Sequence, residues 1–142
     1  MTYDLQRFLN AQNHTYLRAL EEIKQGKKTG HWMWYIFPQI QGLGHSDTSK
    51  LYALESLNEA KEFLAHPVLG ANLLEISYQL LLHNDKTASE IFGYPDHLKL
   101  RSSMTLFDQA NKDQPIYKQI LQQFFAGEPD QKTLSILAQQ EY

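Results

Sequence analysis

Two stretches of the chain bring together side chains that can do chemistry. The first is GHWMWYIFPQ, residues 30–39. His31 is the natural acid–base candidate, because histidine is the side chain whose unperturbed pKa lies near neutral. Trp32 and Trp34 offer flat rings for stacking, and their N–H groups need partners when buried. Gln39 puts a carboxamide at the far end of the run. An aromatic wall with polar groups at both ends is how a site for a ring is made. A run this rich in aromatics also suits a core, and composition alone leaves both readings open. The second stretch is DHLKLRSSMTLF, residues 96–107. Lys99, Ser102 and Ser103 stand at i, i+3 and i+4, so on a helix they project in similar directions. An ammonium and two hydroxyls on one face can hold a phosphate or carboxylate. Serine is a mediocre helix former, so two in mid-helix serve either close packing or ligand contact.

Other chemistries find less support. The histidines at 14, 31, 45, 66, 83 and 97 never pair at the i, i+4 spacing that places two metal ligands on one helix face. No metal and no cofactor is expected. The segment GLGHS, residues 42–46, lacks the frame of a G-x-S-x-G nucleophile elbow. Its two glycines precede a helix start, but there is no G-x-x-x-x-G-K-[ST], and Asp47 would repel a phosphate.

The totals narrow the class. At 142 residues a single domain is expected, and such a chain buries about 68–70% of its unfolded surface. With 42% hydrophobic residues it can form a core without staples. There are no cysteines, which removes disulfides, thiolate metal sites and thiol nucleophiles. That absence, an acid at Asp4 and the lack of an apolar leader fit a cytoplasmic protein. No apolar run approaches the ~18 residues of a membrane span. The net charge of -3 argues against a general nucleic-acid binder. The one basic patch, Lys24, Lys27, Lys28 and His31, reads as a solvated helix end.

The elements that must position these residues all read as helices. Asp4 and Asn13 are expected to cap the first two, Gly26 closes the second, and Ser46 or Asp47 opens another. Ser56 to Glu59 has the capping-box pattern. Leu69, Leu73, Ile76 and Leu80 make a stripe that Leu74, Tyr78 and Leu81 widen, which places that helix centrally. Asp96 is expected to cap the Lys99 helix, whose stripe is Leu100, Met104 and Phe107. Gly127 closes the next helix and Asp130 caps the last. His31 to Phe37 is read as a short helix ended by Pro38, since a lone strand has no partner. The expectation is an all-α, compact orthogonal bundle of about eight or nine short helices.

The segments GHWMWYIFPQIQGLGHSD, AHPVLGANLLEI, IFGYPDHLKLRSSMTLF and FFAGEPDQKTLSIL resemble a bacterial family known as domain of unknown function 1810. The resemblance covers nearly the whole chain. It implies a small all-helical bundle and supplies no established activity; a calpastatin label carried by some members does not suit a chain patterned as compact. The family motifs here include His31, Trp32, Trp34, Phe37, Pro38, Gln39, Gly42, Gly44, Lys99, Ser102, Ser103, Met104 and Phe107. The functional expectation is a site for a small anionic, nucleotide-like metabolite. The tryptophans and Gln39 would line the ring, Lys99, Ser102 and Ser103 would hold the anion, and His31 would handle a proton. It requires the two stretches to meet in the fold. The alternative is an interaction module with exposed aromatics and no chemistry.

Overall fold

Ten helices span the described residues, 3–140, of the computed structural model: α1 Gln6–Asn13, α2 Tyr16–Gln25, α3 Met33–Ile36, α4 Asp47–Tyr52, α5 Leu57–Ala65, α6 Leu69–Leu81, α7 Ala88–Phe92, α8 Asp96–Ala110, α9 Ile116–Phe125 and α10 Gln131–Gln140. The all-α expectation holds, with ten helices against the eight or nine anticipated. Among the described residues the only β pairing is an isolated bridge between Ile40 and Leu54. No helix is long and apolar enough to cross a membrane.

Some caps fall where expected and others do not. Ser46 accepts from the Ser49 N–H at 3.1 Å, and Ser56 accepts from the Glu59 N–H at 3.2 Å. Glu59 does not close the box on Ser56; it accepts instead from the Glu55 N–H and from Arg7. The complete capping box belongs to Thr87 and Glu90. Neither Asp4 nor Asn13 caps: α1 and α2 begin behind Leu5 and Thr15 without a side-chain cap. Gly26 does close α2, at φ 78. At the end of α9 the left-handed residue is Ala126 at φ 55, with Gly127 only following it. Asp96 is the first residue of α8 rather than its cap, because its carboxylate is taken by two lysines.

The centre of the bundle is α8, which packs on α5, α7, α9 and α10. Leu100, Met104 and Phe107 are fully buried as the stripe requires, and burial extends all round the helix from Ser102 to Asp108. α6 is less central than its sequence suggests. Leu69, Leu73, Ile76 and Leu80 are buried, but Leu74 and Tyr78 are exposed. Its N-terminus instead makes a tight crossing, where a Cβ on Gly70 would lie 2.1 Å from the Leu64 carbonyl oxygen.

Aromatic edges tie the layers together. Phe63 meets Phe8 edge-on at 5.1 Å and Phe107 at 5.5 Å. A second group joins Trp32, Phe37 and Phe92. Buried aromatic pairs of this kind contribute ~1 kcal/mol beyond their area, and this second group anchors α3 against α7 beside the N-terminus of α8.

Candidate functional site

The two chemical stretches meet. α3 and the segment after it lie against the first half of α8, and Trp34 stands at the junction. Its half-buried ring has the Lys99 ammonium 4.2 Å from its centroid. On one side lies a small charged cleft lined by Lys28, His31, Met33, Trp34, Asp96 and Lys99. On the other lies a cleft of about 420 Å³, whose walls include Trp34, Gln39, Leu43, Leu98, Ser102 and Asp130. Trp34 and Lys99 belong to both. Lys132 adds a second ammonium at the larger cleft.

Local sequence explains why the charged side is ordered. After Gly26 turns the chain, the Lys28 N–H donates to the Ile91 carbonyl at 2.7 Å. Glu22 then gathers the next three residues: its Oε1 accepts from the N–H groups of Thr29 and Gly30 and from Trp32 Nε1, all within 2.9 Å. Burial pushes the Glu22 carboxyl up, but these donors outweigh it and hold the group below the usual carboxylate range. Lys28 donates to the Gly30 carbonyl at 2.6 Å and pairs with Asp96 Oδ2 at 2.8 Å. Lys99 pairs with Asp96 Oδ1, also at 2.8 Å. Asp96 therefore bridges two lysines. Burial raises its carboxyl, and the lysines' hydrogen bonds and charges overcome that, leaving it lowered.

The basic patch is thus not a solvated helix end at Lys28, whose side chain is only 7% exposed. Trp32 and Ser103 also depart from the expected site. Trp32 is wholly buried against Phe37 and Phe92 and has no face left for a ligand. Ser103 is wholly buried too, and its hydroxyl finds no partner. One residue on from Ser102, it is turned about 100° around the helix, so the core takes Ser103 and the cleft takes Ser102. His31, Trp34, Gln39, Lys99 and Ser102 all line the paired clefts.

Gln39 is held from both sides by the bridge to the α4–α5 connection: its carbonyl accepts from the Leu54 N–H, and Gln41 N–H donates to the Leu54 carbonyl, both at 2.8 Å. Its carboxamide nitrogen is buried with no hydrogen-bond partner. A buried donor left unpaired costs about 1–3 kcal/mol, so this group is a stress within the folded chain. The wall beside it is closely built, since a Cβ on Gly44 would meet Ser49 at 2.6 Å.

Asp130 was legible only as a helix cap. It does cap α10, accepting from the Thr133 N–H at 3.3 Å. The same oxygen also accepts from Ser102 Oγ at 2.9 Å, in the wall of the larger cleft. The Ser102 hydroxyl is therefore committed to a carboxylate rather than standing free. Among the described residues no group of three or more His, Cys, Asp or Glu side chains lies close enough to hold a metal ion.

Fold and site together define an all-α bundle with a surface cleft divided by one tryptophan. Residues 2–137 match the family described as "Protein of unknown function (DUF1810)", and the chain belongs to that family. Among solved structures it is similar to the crystal structure of the conserved hypothetical protein Rv1873 from Mycobacterium tuberculosis. The two share 41% sequence identity with a TM-score of 0.94, over 96% of this chain and 97% of that one. No functionally curated protein matches.

Proposed function

We propose that this protein binds a small anionic, nucleotide-like metabolite across Trp34. The ring lies in the larger cleft against the indole, and the anion reaches the charged cleft. The observation that carries this reading is the placement of Lys99, whose ammonium sits over the Trp34 ring where the two clefts meet. A lysine so placed can hold an anion while the ring beside it stacks. Lys28 and His31 line the anion side with it, and Asp96 is the counterion that Lys28 and Lys99 share. His31 is exposed there, where an imidazole can exchange a proton with a bound molecule. That is the catalytic part of the proposal.

The test is a thermal-shift panel of nucleotides, sugar phosphates, aromatic acids and inorganic anions. A ligand at 100 times its dissociation constant adds about 2.7 kcal/mol, which is several degrees for a domain of this size. The expected result is a shift from phosphorylated or carboxylated rings that Lys99→Met abolishes. A panel that shifts nothing overturns the reading.

A second reading, a protein-interaction surface, rests on one observation. Leu17 and Val68, 79% and 48% exposed, flank an amide-rich groove lined from α1, α2 and α6. It expects Leu17→Asp to abolish capture of a partner while leaving ligand shifts unchanged.

A further inference from the structure

The larger cleft holds a carboxylate, Asp130, beside the Lys99 and Lys132 ammoniums. Asp130 is fixed on three sides. Its backbone N–H donates to Thr105 Oγ1 at 2.8 Å, and its Oδ2 accepts from Ser102 Oγ, Thr133 Oγ1 and the Thr133 N–H. Its Oδ1 accepts no hydrogen bond from the described residues, and Asp130 lines the cleft together with the apolar Leu43, Pro95 and Leu98. A carboxylate held this rigidly presents a preorganised acceptor. On the reading above, the anion lies with Lys28, His31 and Lys99, and the ring lies on the Asp130 side. A ring in that place meets an acceptor that needs a donor.

From this we infer that Asp130 is a specificity residue. It selects rings that carry an N–H donor on their edge, as an amino-bearing nucleobase does, over rings with a bare edge. The inference rests on the reading that the ring lies against Trp34. It goes further by naming the hydrogen-bonding class of the ring and the residue that reads it.

The experiment is calorimetric titration of the full chain at neutral pH with three phosphate monoesters. Adenosine 5′-monophosphate carries the amino group, purine riboside 5′-monophosphate lacks only that group, and phenyl phosphate has a ring with no polar edge. The wild-type protein is expected to bind the amino compound about tenfold more tightly than its deaminated counterpart, as a hydrogen bond to a charged acceptor allows. Asp130→Asn keeps the helix cap, since asparagine caps as well as aspartate. It removes the charge, and the preference is expected to shrink to about twofold or less. Equal binding of the two purine compounds by the wild type overturns the role of Asp130, as does a preference that survives in Asp130→Asn. In both cases the anion-binding reading stands. If none of the three binds, the reading of the site falls as well. Should Asp130→Asn fail to fold, the wild-type comparison of the two purine compounds alone decides.

Discussion

Trp32 and Trp34 are two residues apart, and each has a lysine ammonium over its ring, at 5.1 Å from Lys28 and 4.2 Å from Lys99. The two lysines share one counterion, Asp96. The surroundings then diverge. Trp32 stands at the N-terminal edge of α3 and points inward. Its N–H is satisfied by Glu22, Phe37 packs tilted and Phe92 edge-on against it, and it is fully buried. Trp34 is on the opposite side of the same turn, and its ring forms the partition between two clefts. An aromatic run can thus be core and cleft wall at once, alternating with the turn of a very short helix. What separates the two roles is which neighbours arrive from elsewhere in the chain.

The sharpest way to break this comparison is truncation. Trp32→Ala is expected to cost about 3–5 kcal/mol, from a cavity in the core and a Glu22 carboxylate deprived of one donor. Chemical denaturation measures it, and a cost near that of an exposed residue would contradict the core assignment. Removing the shared counterion comes next. Asp96→Asn removes the one negative charge that the nearly buried Lys28 and Lys99 share, and is expected to cost about 1–3 kcal/mol. The same group sets a pH dependence. Asp96 and Glu22 both have lowered carboxyl values, so their stabilisation is present at neutral pH. It is lost as acid titrates them, from about pH 4 downward. Thermal midpoints across pH 3–7 should fall on the acid side, and Asp96→Asn should flatten part of that fall.

Gln39 sharpens the contrast in the other direction. Replacing its unpaired buried amide in Gln39→Leu is expected to stabilise the fold by about 1 kcal/mol while weakening ligand binding. A site residue kept against stability behaves this way, whereas a purely structural one would lose stability. The smallest effect on folding is expected at Trp34. Trp34→Ala should cost about 1 kcal/mol or less, the worth of an exposed cation–π contact, yet abolish the ligand-induced shift.

Much of this was legible in the sequence, and the exceptions share a cause. Helical periodicity and caps such as Ser46, Ser56 and Gly26 located most elements, because those signals are local. Lys99, Ser102 and His31 were identifiable as site candidates because their types and spacing on one element carry the chemistry. Trp32 and Ser103 were misplaced because burial is decided by partners distant in sequence, here Phe92 from α7 and the helices around α8. Asp96 carried a cap's signal, and only the arrival of Lys28 from 68 residues away in the chain explains its use as a counterion. Asp130 was legible as a cap and is one; its second hydrogen bond, to Ser102, depends on how α10 docks on α8. Gln39 shows its strain only when every neighbour is in place.

In the proposed site Trp34 faces the ligand and Trp32 does not. The chain contains only these two tryptophans, so the protein gives two indole N–H signals in a proton–nitrogen correlation spectrum, assigned with Trp34→Phe. Titration with adenosine 5′-monophosphate should move the Trp34 signal along a saturable curve and leave the Trp32 signal in place. If neither indole signal moves at any ligand concentration, or if the Trp32 signal moves and that of Trp34 does not, the proposed site is wrong.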